Sequence, residues 1–208
     1  MRRITTPPLL AVFIRLLVAG QQHRASQFAA VGAAPGRVVF LGDSITEGGL
    51  WDEWFPNVAV LNRGIGGERT ANVLRRLDTA VNEPTAVFLL IGTNDLMALE
   101  SHEETARNVA AILAGIEDGC ARHARVRAER HATRQGLPGR GTRAQAATSS
   151  WSPSGPSTSA ASTSGPPWPP WTACSTPEFT RDRLHLNGRG YRTWVKVLEP
   201  LVTPFASA

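Results

Sequence analysis

Cysteine is nearly absent from this chain, with only Cys120 and Cys174 among 208 residues. Two thiols so far apart supply neither a metal-binding spacing nor a disulfide framework, so no metal mechanism is expected. A long apolar run is missing as well. Residues 1–20 open with Arg2 and Arg3 and continue through PPLLAVFIRLLVAG, in the outline of a signal peptide, but Arg15 interrupts the run and no small-x-small cleavage site follows closely. A membrane-spanning helix needs about 20 apolar residues, so stable membrane insertion is not expected. Residues 1–35 read as a lead-in, and a cytoplasmic location is favoured over export through a weak signal. There is also no GxxxxGK[ST] loop and no GxGxxG after an apolar run, which counts against a nucleotide binder.

Charge is unevenly spread. The formal net charge is +5, yet seven arginines between Ala121 and Ala144 stand against the single acid Glu129, so this one segment carries the whole excess. A basic face made from one segment of unusual composition is a poor phosphate-binding surface, and no nucleic-acid partner is expected. From Ala121 to Ser175 the chain has no Ile, Phe, Tyr, Met, Lys, Asn or Asp, and it includes the tract SPSGPSTSAASTSGPP. Such a composition buries too little apolar area to offset its chain entropy, and the whole of 121–175 is predicted to be unordered.

What remains is long enough to bury one domain's core. The apolar runs beginning at Val38, Val58 and Ala86 read as strands buried on both faces of a parallel sheet. A short helix is expected over Gln21 to Val31. After the second run, Thr70 caps a helix whose Val73, Leu74, Leu77 and Val81 share a face. After the third, Ser101 and Glu104 form a capping box. Asn187 and Gly188 start a last helix with Tyr191, Trp194, Val195, Leu198 and Val202 on its buried face, and Pro204 ends it. Three strand-to-helix alternations imply right-handed crossovers and helices on both faces of the sheet. Trp51, Trp54 and Phe55 read as core packing, with a pocket-lining role for Trp51 left open.

Four blocks carry candidate chemistry. VVFLGDSITE at Val38 to Glu47 places Ser44 where a strand ends and a helix begins, the end of an open α/β sheet at which ligands bind; Ser44 there is either a nucleophile or a helix cap. NRGIGG spans Asn62 to Gly67, IGTND spans Ile91 to Asp95, and DRLH spans Asp182 to His185. In this order the blocks resemble the SGNH hydrolases, also called the GDSL esterase and lipase family, over about residues 36–119 and 176–203. The first block has GDSI where the family name has GDSL, one apolar residue for another.

The resemblance implies a flavodoxin-like three-layer α/β/α fold with a parallel sheet, in a hydrolase domain over 36–208 interrupted by 121–175. It also implies a serine ester hydrolase acting through an acyl-serine intermediate, without metal or cofactor, on a small-molecule ester such as a short acyl ester, an acetylated sugar, a lysophospholipid or a thioester. A serine hydroxyl needs a base, and the base needs a group that fixes its tautomer. Asp182 and His185, three apart, can converge on one turn, whereas His23, His102, His123 and His131 have no such context. The resemblance gives the oxyanion hole as the backbone N–H groups of Ser44 and Gly67 with the side-chain amide of Asn94; glycine lets backbone approach a ligand, and asparagine is a donor that does not titrate. For Gly64, Gly66 and Gly67 a plain turn is the alternative, for Asn94 a helix cap is, and Asp95 reads as a helix cap. Nothing in the sequence fixes the oligomeric state.

The family would carry a fourth strand, a helix and a fifth strand where residues 121–175 lie. That segment replaces these elements at about their length, which a frame error in a GC-rich gene explains better than an insertion does. Read with codons shifted by one base, Trp168 to Cys174 regains an apolar pattern that runs into Pro177, Glu178 and Phe179. Two rival readings follow: a catalytically impaired or non-catalytic binding module, in which the lost strands leave the motifs unsupported, and a phosphate binder using helix amino ends.

Overall fold

The structure is a computed structural model that describes residues 8–132, 145–148, 176–180 and 182–206. Its centre is β1 (Val38–Gly42), with β2 (Val60–Gly64) on one side and β3 (Ala86–Leu90) on the other, all parallel. Val38 lies opposite Val60 and Ala86, which puts the three strand ends level. All five β1 residues are buried. Because side chains alternate along a strand, Val38 and Phe40 enter one core and Val39 and Leu41 the other.

The first core belongs to α3 (Trp51–Trp54) and α8 (Gly188–Val202). Trp51 stacks on Phe40 at 4.1 Å and meets Trp194 edge-on at 4.9 Å, so its indole is core packing, with Nε1 donating to the Thr46 carbonyl at 2.9 Å. The second core packs Val73, Ala80, Ile112 and Ile116 from α4 (Thr70–Arg75), α5 (Leu77–Ala80) and α7 (His102–Ala132). The result is the α/β/α sandwich that the strand-helix alternation implies.

Several element boundaries differ from expectation. The helix expected across Val73 to Val81 is broken at Arg76, whose guanidinium turns inward to Glu68 at 2.6 Å and to the Arg63 carbonyl at 2.9 Å. The Glu68 carboxylate and the Arg63 carbonyl satisfy Arg76 Nε and Nη2 inside the fold. Arg69, not Thr70, is the residue that precedes α4. The first helix, α1, spans Pro8–Val31 rather than starting near Gln21. Proline suits a first helical position, and the leucine and alanine run that follows has high helix propensity. Its Phe28 is buried beneath the guanidinium groups of Arg63, Arg24 and Arg76 at 4.5, 5.1 and 5.7 Å. Within the stretch read as a lead-in, Gln21, Arg24 and Phe28 of α1 make contacts with the domain.

Two pieces of 121–175 carry regular structure. Helix α7 continues to Ala132, and β4 (Gln145–Thr148) adds a fourth parallel strand beside β3, giving the order β2-β1-β3-β4. Composition argues only that little apolar area can be buried there. Residues 121–132 are rich in alanine and arginine, which favour helix without burial, and β3 offers an open ladder of backbone partners. The serine- and proline-rich tract itself lies outside the described residues.

Candidate active site

The order β2-β1-β3 means that the chain leaves β1 toward one side and later returns to the other, opening a crevice at the strand carboxyl ends where α/β folds bind ligands. Three of the four sequence blocks end at this crevice, and α8 brings the fourth. Gly42 closes β1 where a Cβ would strike the Leu90 carbonyl and the Thr46 hydroxyl, so no side chain is possible there. The next residue, Asp43, caps α2 (Ser44–Glu47) by accepting the Ile45 N–H at 3.0 Å. With the cap supplied by Asp43, the hydroxyl of Ser44 is left for another partner.

That partner is His185. Its Nε2 is 2.9 Å from Ser44 Oγ, and its Nδ1 is 2.6 Å from Asp182 Oδ2. The other Asp182 oxygen accepts the backbone N–H of His185 at 2.7 Å, that of Leu184 at 3.0 Å, and the Thr180 hydroxyl at 3.1 Å. Arg183 between them turns through φ 65°, the tight turn that lets residues three apart converge. The bond from His185, followed by the backbone donors, holds the Asp182 carboxyl well below the usual carboxylate range. Asn187 starts α8 by accepting the N–H groups of Arg189 and Gly190, fixing where the turn joins the helix. Asp182, His185, Leu186, Asn187 and Gly188 line an open cleft of about 440 Å³.

Across from the histidine lies the loop after β2. Gly66 passes so close that a Cβ there would stand 3.6 Å from the Ser44 Cβ, and Gly67 has φ +73°, a conformation that glycine adopts without strain. Neither the Ser44 nor the Gly67 N–H has an acceptor among the described residues. Asn94, in α6 (Thr93–Met97) at the end of β3, donates one amide hydrogen to the Glu68 carbonyl at 2.9 Å, which orients the side chain and leaves its second hydrogen available. Asp95 is wholly buried and is a cap, but of α4 across the crevice: it accepts from the Thr70 N–H at 3.0 Å and from its hydroxyl at 2.5 Å.

The remaining histidines are elsewhere. His23 bonds to Gln27 on α1, His102 is exposed at the start of α7, and His123 and His131 lie in the distal part of α7. Among the described residues, no group of three or more His, Cys, Asp or Glu is placed to hold a metal ion, and no helix is long and apolar enough to cross a membrane.

Sequence reading missed several supports of the site. Asp43 is 1% exposed, and burial pushes its carboxyl up to about 6. Tyr191 donates its hydroxyl to the Ile45 carbonyl at 2.7 Å, tying α8 to the serine turn, and its phenol is pushed up to about 12 by burial. Tyr191 was legible only as part of the buried face of the last helix, since no spacing rule marks a contact across 146 residues.

The fold is shared with a Streptococcus pneumonia protein whose name links it to platelet activating factor, at a TM-score of 0.64 and 18% identity over 95% of this chain and all of that one. It is shared also with the psychrotrophic esterase EstA from Pseudoalteromonas sp., at 0.51 and 15% over 82% and 98%. By sequence, the platelet-activating factor acetylhydrolase IB subunit alpha2 of Homo sapiens is 38% identical over 87 residues, covering 38% of this chain and 34% of the relative. The alpha1 subunit of Mus musculus is 38% identical over 79 residues, covering 35% and 32%. These matches span about a third of the length of the curated relatives. Residues 40–193, well over half of the chain, match the model of the GDSL-like lipase/acylhydrolase family, and the chain belongs to that family.

Proposed function

We propose that this chain hydrolyses carboxylic esters through an acyl-Ser44 intermediate, with His185 as base and Asp182 as its orienting partner. The observation that carries this reading is the continuous chain of hydrogen bonds from Ser44 Oγ through both nitrogens of His185 to Asp182. Ser44 Oγ bonds to the ester carbonyl carbon while its proton passes to His185 Nε2. Asp182 keeps the proton of Nδ1 facing it and stabilises the imidazolium so formed. The carbonyl oxygen becomes an oxyanion, received by the N–H groups of Ser44 and Gly67 and the free amide hydrogen of Asn94. Collapse expels the alkoxide, which takes the proton from His185. Water then repeats the sequence on the acyl-serine, releasing the carboxylic acid and restoring the hydroxyl. The acyl and alcohol groups stay within the classes named above. Relatives named for an acetylhydrolase favour a small acyl group.

Turnover of p-nitrophenyl acetate by the wild type and by Ser44→Ala tests the reading. The variant should lose nearly all activity, and a fluorophosphonate should label only the wild type. Asn94→Ala should lower kcat by about 10² to 10³ with KM little changed, since an oxyanion donor acts in the transition state. A chelator should leave the rate unaltered. Equal turnover by Ser44→Ala, or loss of activity to EDTA with recovery on adding a divalent metal, would overturn the mechanism. A wild type that binds esters without turning them over would make this family member a binding module.

A further inference from the structure

The loop that supplies the Gly67 N–H is a poor platform by itself. Gly64, Gly66 and Gly67 lie within four residues, so the backbone has wide freedom and few side chains to anchor it. A donor that stabilises a developing oxyanion must nevertheless be fixed before the charge appears. The groups that hold it are Glu47, the last residue of the first block, and side chains of α1 outside all four blocks.

Glu47 closes α2, three residues after Ser44 on the same rigid turn. Its Oε2 accepts the Gly66 N–H at 2.6 Å, and its Oε1 pairs with Arg24 Nε at 3.1 Å. From α1, Arg24 Nε also donates to the Gly64 carbonyl at 2.7 Å, and Gln21 Nε2 donates to the Gly66 carbonyl at 2.9 Å. The last contact has a geometric consequence. The Gly66 carbonyl and the Gly67 N–H belong to one peptide unit, which is planar and trans, so they point in opposite directions. By holding the carbonyl toward α1, Gln21 fixes the direction of the Gly67 N–H away from α1. Glu47 does the same for the preceding peptide unit. The closeness is confirmed by Gly67 itself, where a Cβ would stand 2.8 Å from Gln21 Nε2.

We infer that Gln21 and Glu47 are positioning residues for the oxyanion hole, aligning the Gly67 N–H with Ser44, and that α1 is therefore part of the catalytic construction. This rests on the ester-hydrolase reading above. Neither residue touches the reacting atoms; each acts through the loop.

The test compares Gln21→Met, which keeps the side-chain bulk and helix propensity but removes the donor, with Glu47→Ala and its conservative counterpart Glu47→Gln. Each is assayed for kcat, KM, the rate of phosphonylation of Ser44 and Tm. Displacing a catalytic group by about 1 Å can cost 10²-fold. Gln21→Met and Glu47→Ala should therefore lower kcat by about 10-fold to 100-fold, slow phosphonylation by the same factor, and leave KM and the pH profile in place. Glu47→Gln retains an acceptor for the Gly66 N–H and should recover most of the loss. Unchanged kcat and phosphonylation in Gln21→Met at wild-type Tm would overturn the inference while leaving the mechanism intact, as would a loss expressed in KM alone. Activity unaffected by Ser44→Ala would instead remove the reading beneath it.

Discussion

Ser44 and His185 are joined by one hydrogen bond but are held in place by different parts of the molecule. The serine stands on a turn whose neighbours Asp43 and Thr46 are each 1% exposed, directly continuous with a strand buried on both faces. The histidine side chain is 48% exposed and that of Asp182 is 53% exposed. Their loop is tied down by the bridge between Thr180 and Leu186, by the Asn187 amide on the Glu178 carbonyl at 3.0 Å, and by the junction with α8. That helix in turn anchors through Trp194, Leu198 and Val202 in the core on the α3 side of the sheet. The nucleophile is thus placed by the sheet, and the base by a surface loop on a single helix. Damage at the serine end should reach stability, whereas damage at the histidine end should reach activity alone.

The largest effect expected from this contrast is at the exposed end. His185→Ala should reduce kcat by about 10⁴-fold or more, and Asp182→Asn should leave somewhat more activity, by analogy with what removing such partners does in other serine hydrolases. Both should melt within a few degrees of the wild type, because both side chains are about half exposed and water screens their interactions. Asp182 has a folded-state pKa below its unfolded value, so its contribution to stability is present above the ordinary carboxylate range and is lost only as pH falls through the lowered value. Thermal melts of both variants at neutral pH decide the point. A fall of ten degrees or more would show that the loop carries weight in the fold and would break the comparison.

The same contrast explains what was legible in the sequence. Strands β1 and β3 announce themselves as continuous apolar runs, and the amphipathic face of α8 as Trp194, Val195, Leu198 and Val202, because burial selects residue type directly; β2 (Val60–Gly64) is half-buried over Val60 to Asn62 and shares only Val60 and Leu61 with the apolar run expected from Val58. Asp182 and His185 are three apart, a spacing that one turn can satisfy, whereas the roles of Ser44, Gly67 and Asn94 were legible only through the resemblance of their blocks to the SGNH hydrolases; the structure carries these blocks to the same end of the sheet. Three features were hidden. The break at Arg76 depends on a pairing with Glu68 eight residues earlier, a spacing with no helical meaning. The role of Glu47 depends on a loop 19 residues later. The run from Pro8 to Ala19 has the outline of a weak export signal, and what ties α1 to the domain is its continuation to Gln21, Arg24 and Phe28.

A smaller effect is expected where the two ends are joined. At Gly190, on the first turn of α8, a Cβ would stand 2.6 Å from the Phe179 carbonyl and 3.0 Å from Leu186. Since the nearest atom is backbone, Gly190→Ala should push the 176–186 loop away from the helix and displace His185 from Ser44. A loss of about 10-fold to 100-fold in kcat is expected for a shift near 1 Å. Gly188→Ala, two residues earlier with open space around it, is the control and should cost little. If both variants retain full activity, α8 is not what positions the base.

The last contrast sets one carboxylate against another. Asp182 is ionised at the surface, whereas Asp43 is buried with one oxygen unpartnered among the described residues, and burial raises its pKa from 3.8 to about 6. A carboxyl with a raised folded-state pKa holds a proton that the unfolded chain has already lost between about pH 4 and pH 6. Over that window stability must fall as pH rises, and above it the cost is constant. A shift of this size corresponds to roughly 2 to 3 kcal/mol. Asp43→Asn keeps an oxygen to accept the Ile45 N–H but carries no charge to desolvate. The variant should melt about 5 to 10 degrees higher than the wild type at pH 8, given 2 to 4 degrees per kcal/mol in a domain of this size, and at nearly the same temperature at pH 4. Melting curves at the two pH values test it. An advantage of equal size at both would mean that the gain comes from packing, and that the serine end bears no buried charge worth relieving.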